Sequence, residues 1–518
     1  MPQKGTDTPT ERFDTEHPIT RETDIVRFTV DGLTRLRHGL TKAAIAPESF
    51  SLQKEVDGPL GWRMPYRGLE PLEAKDAAVF FGRDAEITQG LDVLRGLASK
   101  NPPRFMVILG ASGAGKSSFL RAGLLPRLER DDANWLPMAP VRSGDDGPIE
   151  APEGLLAQLQ ALHQRLGLES SRASLRHATQ DEESFVACLQ TLRQAAHKAA
   201  LLGEGRDAPL PVLSLDQAEE LFVSDAHEDT GKFLKLVRRA MMAGELVCIA
   251  TIRSDRYSSL QSEAILEGIE QTTFSLPPVV SGQLAEIING PAQVWRREAG
   301  PAAPVFAPEV SKALMEEISG QQDALPLLAF AMARLINDHI GSDNTVEAKT
   351  ITLEDLKATG GVAKTIELEA DKALGDAGID KDPKAREGIL RDTFIPRLAR
   401  VDKDSRDFER RVASLSDFSG ARLRDLVNAF VERRLLTLKA RDDDPSVEVA
   451  HEALLRKWPT LSKILDAEKE DLIRLDTALN SAAQWEANGR TKDYIDHRGG
   501  RLEDLKPSPP NPPNGIRH

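Results

Sequence analysis

Cysteine occurs only twice in this chain of 518 residues, as Cys188 and Cys248. The two lie far apart, with no CxxC or Cys/His spacing, which excludes a disulfide framework or a zinc site as the organising device. Both are expected to behave as small apolar residues. No uncharged apolar run reaches the ~18 residues of a membrane span, and the N-terminus MPQKGTDTPTERFDTEHPITRETD lacks the apolar core of a secretion signal. Secretion and membrane spanning are disfavoured, and the expected compartment is the cytoplasm. Positive charge is also in deficit: 67 Lys and Arg against 81 Asp and Glu leave a net charge of −14. That balance opposes a bulk nucleic-acid or anionic-membrane partner, although a local basic patch remains open.

The length suggests roughly three or four structural units. Residues 1–23 are polar and proline-spotted and read as a disordered lead-in. A linker-like segment, 24–63, follows, with a strand-like IVRFTV and Leu33, Leu36 and Leu40 at helical spacing. An α/β nucleotide-binding unit is expected over 64–280 and a helical unit over 281–345, where LAFAMARLINDHI has a 3.6-residue apolar period. Residues 346–460 end in a helix (ARLRDLVNAFVERR), a strand (LLTLKA), an Asp-rich turn (RDDDPS) and a strand (VEVAH), an order that suggests a winged helix. A charged helical linker (461–506) and a proline-rich tail (507–518) close the chain.

The chemistry concentrates at RFMVILGASGAGKSSFLRAGLL. Gly110 to Ser117 fit G-x-x-x-x-G-K-S/T between an apolar strand and a helix start, the context a phosphate-binding P-loop requires. The glycines let successive N–H groups and the helix N-terminus face an anion, so Gly110, Ser112, Gly113, Ala114, Gly115, Lys116, Ser117 and Ser118 are assigned to the cradle. Lys116 is expected to reach the β- and γ-phosphates and Ser117 to ligate Mg²⁺. A second, acidic strand end must support the metal. LPVLSLDQAEELF supplies Asp216, which could alternatively be a helix N-cap. Glu219 is the candidate for orienting an attacking water, with Glu220 as the competing choice. The strand LVCIATIR ends in Arg253, read either as a γ-phosphate sensor or as a surface arginine paired with Asp255. VSGQL at 280–284 faintly echoes the signature loop of ABC-type ATPases but follows the acidic strand instead of preceding it; Ser281 is read there as a helix N-cap.

PYRGLEPLEAKDAAVFFGRDAEI, GASGAGKSSFLRAGLLPRL, LSLDQAEELF, ATIRSDRY, FSLPPV, DALPLLAF and VEVAHEALLRKWPTL occur in this order. Together they resemble the bacterial novel-STAND branch of the signal-transduction ATPases with numerous domains, from about Pro65 to Trp458. The resemblance implies an AAA+-like α/β P-loop core with a parallel sheet flanked by helices, then a helical lid and a winged helix. It implies ADP clamped among the three units, with exchange for ATP permitting self-association. Phe81, Gly82 and Arg83 resemble the segment along the adenine, Pro326 the lid proline that packs on it, and His451 the winged-helix histidine at the ADP β-phosphate. The residues themselves also permit blander roles: Gly82 as a loop turn, Pro326 as a first helical residue, His451 as a capped core histidine. Gln217 stands where hydrolytic relatives have glutamate, and Glu452 where immune relatives have aspartate. Relatives carry an effector such as a TIR domain before this core and a WD-repeat sensor behind it. Effector and sensor are therefore expected either to be missing by truncation or to act as separate partners. The resulting expectation is a slow, ATP- and Mg²⁺-dependent signalling switch, plausible in anti-phage defence. A work-performing ATPase and a winged-helix DNA-binding regulator are the competing readings, and the acidic RDDDPS turn opposes the latter.

Overall fold

The computed structural model describes residues 10–16, 23–29 and 50–491, apart from short stretches at 143–146, 204, 223–227, 319–322, 342–343, 347–349, 380–381, 402–405, 440–443 and 488–489. The helix expected around Leu36, most of the Asp-rich turn and the proline-rich tail lie outside the described residues. Within the segment expected to be disordered lies β1 (Thr10–Glu16), which pairs antiparallel with β2 (Thr23–Thr29) at the expected IVRFTV strand. Thr10, Phe13 and Thr15 suit an extended chain, and this local preference outweighs the polar composition there.

Helix α1 (Asp84–Ala98) leads into β3 (Arg104–Gly110). After the glycine-rich loop, Lys116–Ser118, a π-helical turn over Phe119–Leu124 and Leu125–Arg130 run on as one helix, α2. Then come β4 (Trp135–Pro137), α3 (Leu155–Arg165), α4 (Glu182–Ala199), β5 (Leu210–Leu215), α5 (Glu228–Met242), β6 (Val247–Arg253) and β7 (Gln271–Ser275). The five strands β3–β7 form one parallel sheet in the order β4-β5-β6-β3-β7. The loop strand β3 and the acidic strand β5 are thus separated by β6, whose C-terminal end falls between theirs.

Strand side chains alternate between faces, and the sheet is covered on both. Phe105, Val107, Leu213, Cys248 and Ala250 pack with Leu159, Phe185 and Leu189 of α3 and α4 on one side. Met106, Ile108, Val212 and Ile249 pack with Ile87, Leu94 and Phe119 on the other. The long stretch between the P-loop and Asp216 therefore has a structural role, since its helices cover one face of the sheet. Burial pushes the Cys188 thiol up to about 11 and the Cys248 thiol higher still, as expected of inert apolar cysteines.

The C-terminal half holds a separate core. Helix α6 (Ser281–Ala299) begins with Val280 in the capping position, one residue before the expected Ser281; Val280 N–H donates to the Gln283 side chain. Strand β8 (Val305–Phe306), α7 (Pro308–Ile318) and α8 (Ala324–Asn337) follow. Phe306 and Ile351 are buried in one cluster, and β8 pairs with β9 (Thr350–Ile351) across the boundary placed at 345/346. Beyond α9 (Gly361–Asp376) and α10 (Pro383–Phe394), β10 (Ala399–Val401) pairs with β11 (Phe408–Arg410). Strand β12 (Val412–Ser414) shares a sheet, in the order β12-β14-β13, with the hairpin of β13 (Leu436–Lys439) and β14 (Ser446–Val449) that follows α11 (Ala421–Glu432). The long helix α12 (Pro459–Ala487) completes the described chain.

Trp458 is fully buried against Phe394 and Phe430, joining α10, α11 and the start of α12. Trp458→Ala is expected to remove about 3–5 kcal/mol of stability, checked by the urea midpoint of the full chain.

Candidate functional site: a phosphate-loop cleft closed by the C-terminal half

The glycine-rich loop takes the shape its sequence allows. Gly113 and Gly115 have φ of +72° and +86°, a region other residues rarely adopt. A side chain at Gly113 would also meet Asp323 and Pro326, since a Cβ there would lie 3.2 Å from Asp323 Oδ1 and 3.3 Å from Pro326 Cγ. Gly110 ends β3 and does not line the cleft; its carbonyl, with that of Ala111, accepts from Lys116 Nζ at 2.9 Å. Burial pushes the Lys116 ammonium down, while Glu219 and Asp216 act to hold its charge. Ser118 Oγ accepts from Leu72 N–H at 3.0 Å, which ties the loop's end to the segment before α1.

Asp216, fully enclosed at the end of β5, is not a helix cap. Its Oδ1 accepts from Ser117 Oγ and from Thr251 Oγ1, each at 2.8 Å, and its Oδ2 from Arg121 Nε at 2.9 Å. Burial alone would raise the carboxyl, but Arg121 and Arg142 together with the two hydroxyls hold it down at about 2. The hydroxyl–carboxylate pair is the donor set a hard divalent cation takes, so the residues present fit Mg²⁺.

Glu219 and Glu220 differ in their partners. Glu220 accepts from Arg142 at 3.0 Å, whereas Glu219 Oε2 is shut off from solvent without a hydrogen-bond partner. Burial raises the Glu219 carboxyl to about 7 despite the nearby Lys116. The Arg253 guanidinium is bidentate to Asp255, at 3.1 and 2.7 Å, and it lines the cleft. A further contact, 3.6 Å to Glu409, reaches across to β11.

One cavity of about 460 Å³ gathers these groups. Phe81, Arg83, Ser112, Gly113, Ala114, Gly115, Lys116, Ser117, Ser118, Asp216, Glu219, Arg253, Pro326 and His451 all line it, and Gly82 does not. Gly82, at φ +77°, lies against α6: a Cβ there would meet the Gln283 carbonyl at 2.8 Å. Arg83 donates to the Ala114 carbonyl at 3.2 Å, tying the segment before α1 to the loop. His451 Nδ1 accepts the Ala453 N–H at 3.0 Å, and burial lowers the imidazole pKa. The neutral ring therefore carries its proton on Nε2, a donor for an anionic ligand.

Several residues that line or support the cleft escaped the sequence reading. Thr251 and Arg121 hold Asp216, Arg142 and Arg410 converge on Gln217, and Glu448 lies 3.6 Å from Arg142. Thr251 and Arg121 had a legible signal, a polar residue inside an apolar strand and a cation set between the apolar Phe119-Leu120 and Ala122 to Leu125. The contacts of Arg142, Arg410 and Glu448 join segments remote in sequence and left no such trace.

Residues 65–493 match the family described as Novel STAND NTPase 1. The chain belongs to this family. It is thus a P-loop NTPase of the STAND class, with the parallel α/β sheet that class requires. Among solved structures, this STAND NTPase is similar to the Walker-type ATPase PABY2304 of Pyrococcus abyssi, at 13% identity and a TM-score of 0.36 over 77% of this chain and 98% of that one. It is also similar to the Aeropyrum pernix ORC1 protein, solved in complex with DNA, at 15% identity and a TM-score of 0.36 over 75% of this chain and 93% of the other. The search of curated proteins finds no match. Among the described residues no helix is long and apolar enough to cross a membrane.

Arg121→Met leaves the buried Asp216 carboxylate without its closest cation. It is expected to cost about 3 kcal/mol, read by chemical denaturation at neutral pH. The loss shrinks in strong acid, because the stabilisation exists only while Asp216 is charged and disappears as pH falls towards its folded value of about 2.

Proposed function

We propose that this STAND NTPase is an adenine-nucleotide switch whose off state holds ADP between the P-loop core, a helical lid and a winged-helix unit. The supporting observation is that the cleft is walled by all three parts of the chain: the loop, Pro326 of α8, and His451 beyond β14. Residues 346–460, with α11 and the β13–β14 hairpin, take the winged-helix role in this reading. Lys116 and the loop N–H groups bind the β- and γ-phosphates, Ser117 and Asp216 hold Mg²⁺, and Pro326 and Phe81 flank the adenine. His451 Nε2 donates to the ADP β-phosphate. The metal, when bound, offsets phosphate charge.

Arg253 senses the γ-phosphate, and in the described arrangement it also reaches Glu409 of the C-terminal half. A ligand that draws Arg253 inward competes with that contact. Reversing a switch from 1:99 to 99:1 needs about 5.5 kcal/mol of differential binding, which Lys116, Arg253 and His451 share in this scheme. Opening exposes surfaces for self-association, and slow hydrolysis resets the protein. Effector and sensor act from outside the described core, the setting is cytoplasmic signalling, and anti-phage defence is the biological role we infer from the family resemblance.

Lys116→Ala is expected to abolish co-purification of nucleotide, identified after denaturing the purified protein. His451→Ala is expected to shift the protein towards larger assemblies; an elution volume identical to the parent, with and without ATP, would count against the proposal. Steady-state phosphate release should be slow and rise with pH around 7, because only the ionised Glu219 carboxylate can orient water. Glu219→Gln should lower the rate and flatten that profile.

A further inference from the structure

A second cavity, of about 360 Å³, lies on the other side of α8, between that helix, α9 and the end of α11. Its charges are unevenly satisfied. Glu369 takes Arg334 Nε at 3.0 Å and Arg433 Nη1 at 2.7 Å, and Asp376 takes the rest of Arg433. Glu432, also on the lining, is exposed to solvent. The Arg434 guanidinium has neither a hydrogen bond nor an ion pair among the described residues, and its Nη1 is shut off from solvent. Burial, above all, and the neighbouring Arg67 act against its charge, while Glu70 and Glu55 act to hold it without bonding to it.

The backbone makes this arginine more unexpected. Arg434 N–H donates to Val431 and Leu435 N–H to Phe430, each at 2.9 Å, which is the Schellman ending of α11. Arg434 occupies the left-handed position of that motif, φ +57°, where glycine is the usual residue because it avoids the Cβ penalty. A strained backbone and an unpaired, half-buried guanidinium occur at one residue, and nothing it touches offsets either. Such outliers persist where they serve a function.

We propose that this cavity binds a compact oxyanion, a carboxylate or phosphate group, through Arg434, whose planar fork suits either bidentately. Arg334 and Arg433 on the same wall are already taken by Glu369 and Asp376, which leaves Arg434 as the donor. The site communicates with the nucleotide cleft by construction: Gly68 lines both cavities, and α8 gives Pro326, Ala329 and Met332 to one and Ala333, Arg334 and Asn337 to the other. That coupling rests on the nucleotide reading above; anion binding does not, and it is tested without nucleotide.

The thermal midpoint of the full chain is measured with millimolar malonate or inorganic phosphate against chloride at equal ionic strength, for the parent and Arg434→Gly. The anion is expected to raise the parent by about 2–4 °C more than the variant, and the more effective anion identifies the ligand as carboxylate or phosphate. Without added anion, Arg434→Gly should melt no lower than the parent, since glycine relieves the left-handed strain. Arg434→Asn, which also tolerates that region, should behave likewise. Equal shifts in parent and variants with both anions place binding at the P-loop or nowhere, and overturn the proposal. A lower midpoint for both variants without anion makes Arg434 a structural residue and overturns it as well.

Discussion

The buried charge of Asp216 is the constraint on which the rest of the cleft depends. An isolated carboxylate at this depth would cost several kcal/mol and would protonate instead. It stays ionised because Arg121, Ser117 and Thr251 reach it from α2, from the end of the loop and from β6. Each of those contacts fixes an element, so the same interaction that keeps a metal-binding carboxylate charged also locks the loop, the helix behind it and the central strand into register. Thr251 carries the constraint one step further by accepting the Gln217 N–H at 2.9 Å, which holds the chain just past the acidic strand.

Around this fixed centre the closure by the C-terminal half is electrostatic and more readily reversed. Glu409 meets Arg253 and Arg256, Glu448 meets Arg142, and Lys439 meets Glu153 at 3.5 Å, all at contacts of 3.3 Å or longer. Within the C-terminal half itself, Arg456 lies 2.7 Å from Asp323 at the start of α8. Of the pairs that cross between the halves, only Lys439–Glu153 is exposed to solvent and so contributes little; the others are largely buried, so the stability each adds is small against the cost of leaving one partner unpaired. A set of them can hold two bodies together and still yield to a ligand that competes for one partner, which suits a cleft that must open. By contrast, the sheet and the core around Trp458 are held by apolar packing, which offers no such competition.

Much of the centre was readable because local chemistry demanded it. A glycine-rich turn between an apolar strand and a helix has few purposes, and that pattern singled out Lys116 and Ser117, while the acidic end of a later apolar strand singled out Asp216. Glu219 and Glu220 could not be separated, since both follow Asp216 at similar spacing; only the position of Arg142, far away in sequence, distinguishes the paired carboxylate from the orphaned one. In the sequence reading, composition outweighed the short β-favouring pattern at Thr10–Glu16, and the pairing of β8 with β9 across the boundary expected near 345 joins positions too far apart for a local pattern to carry.

The sequence by itself determined the loop, its lysine and hydroxyl, the acidic strand end and the order of the units, because these depend on neighbours within a few residues. Tertiary structure alone decided which charges are paired, which cavity each helix face lines, and that the Arg434 guanidinium stands without a partner among the described residues. Burial and ion pairing are properties of groups brought together from distant positions, and a linear pattern carries no record of the distance between them.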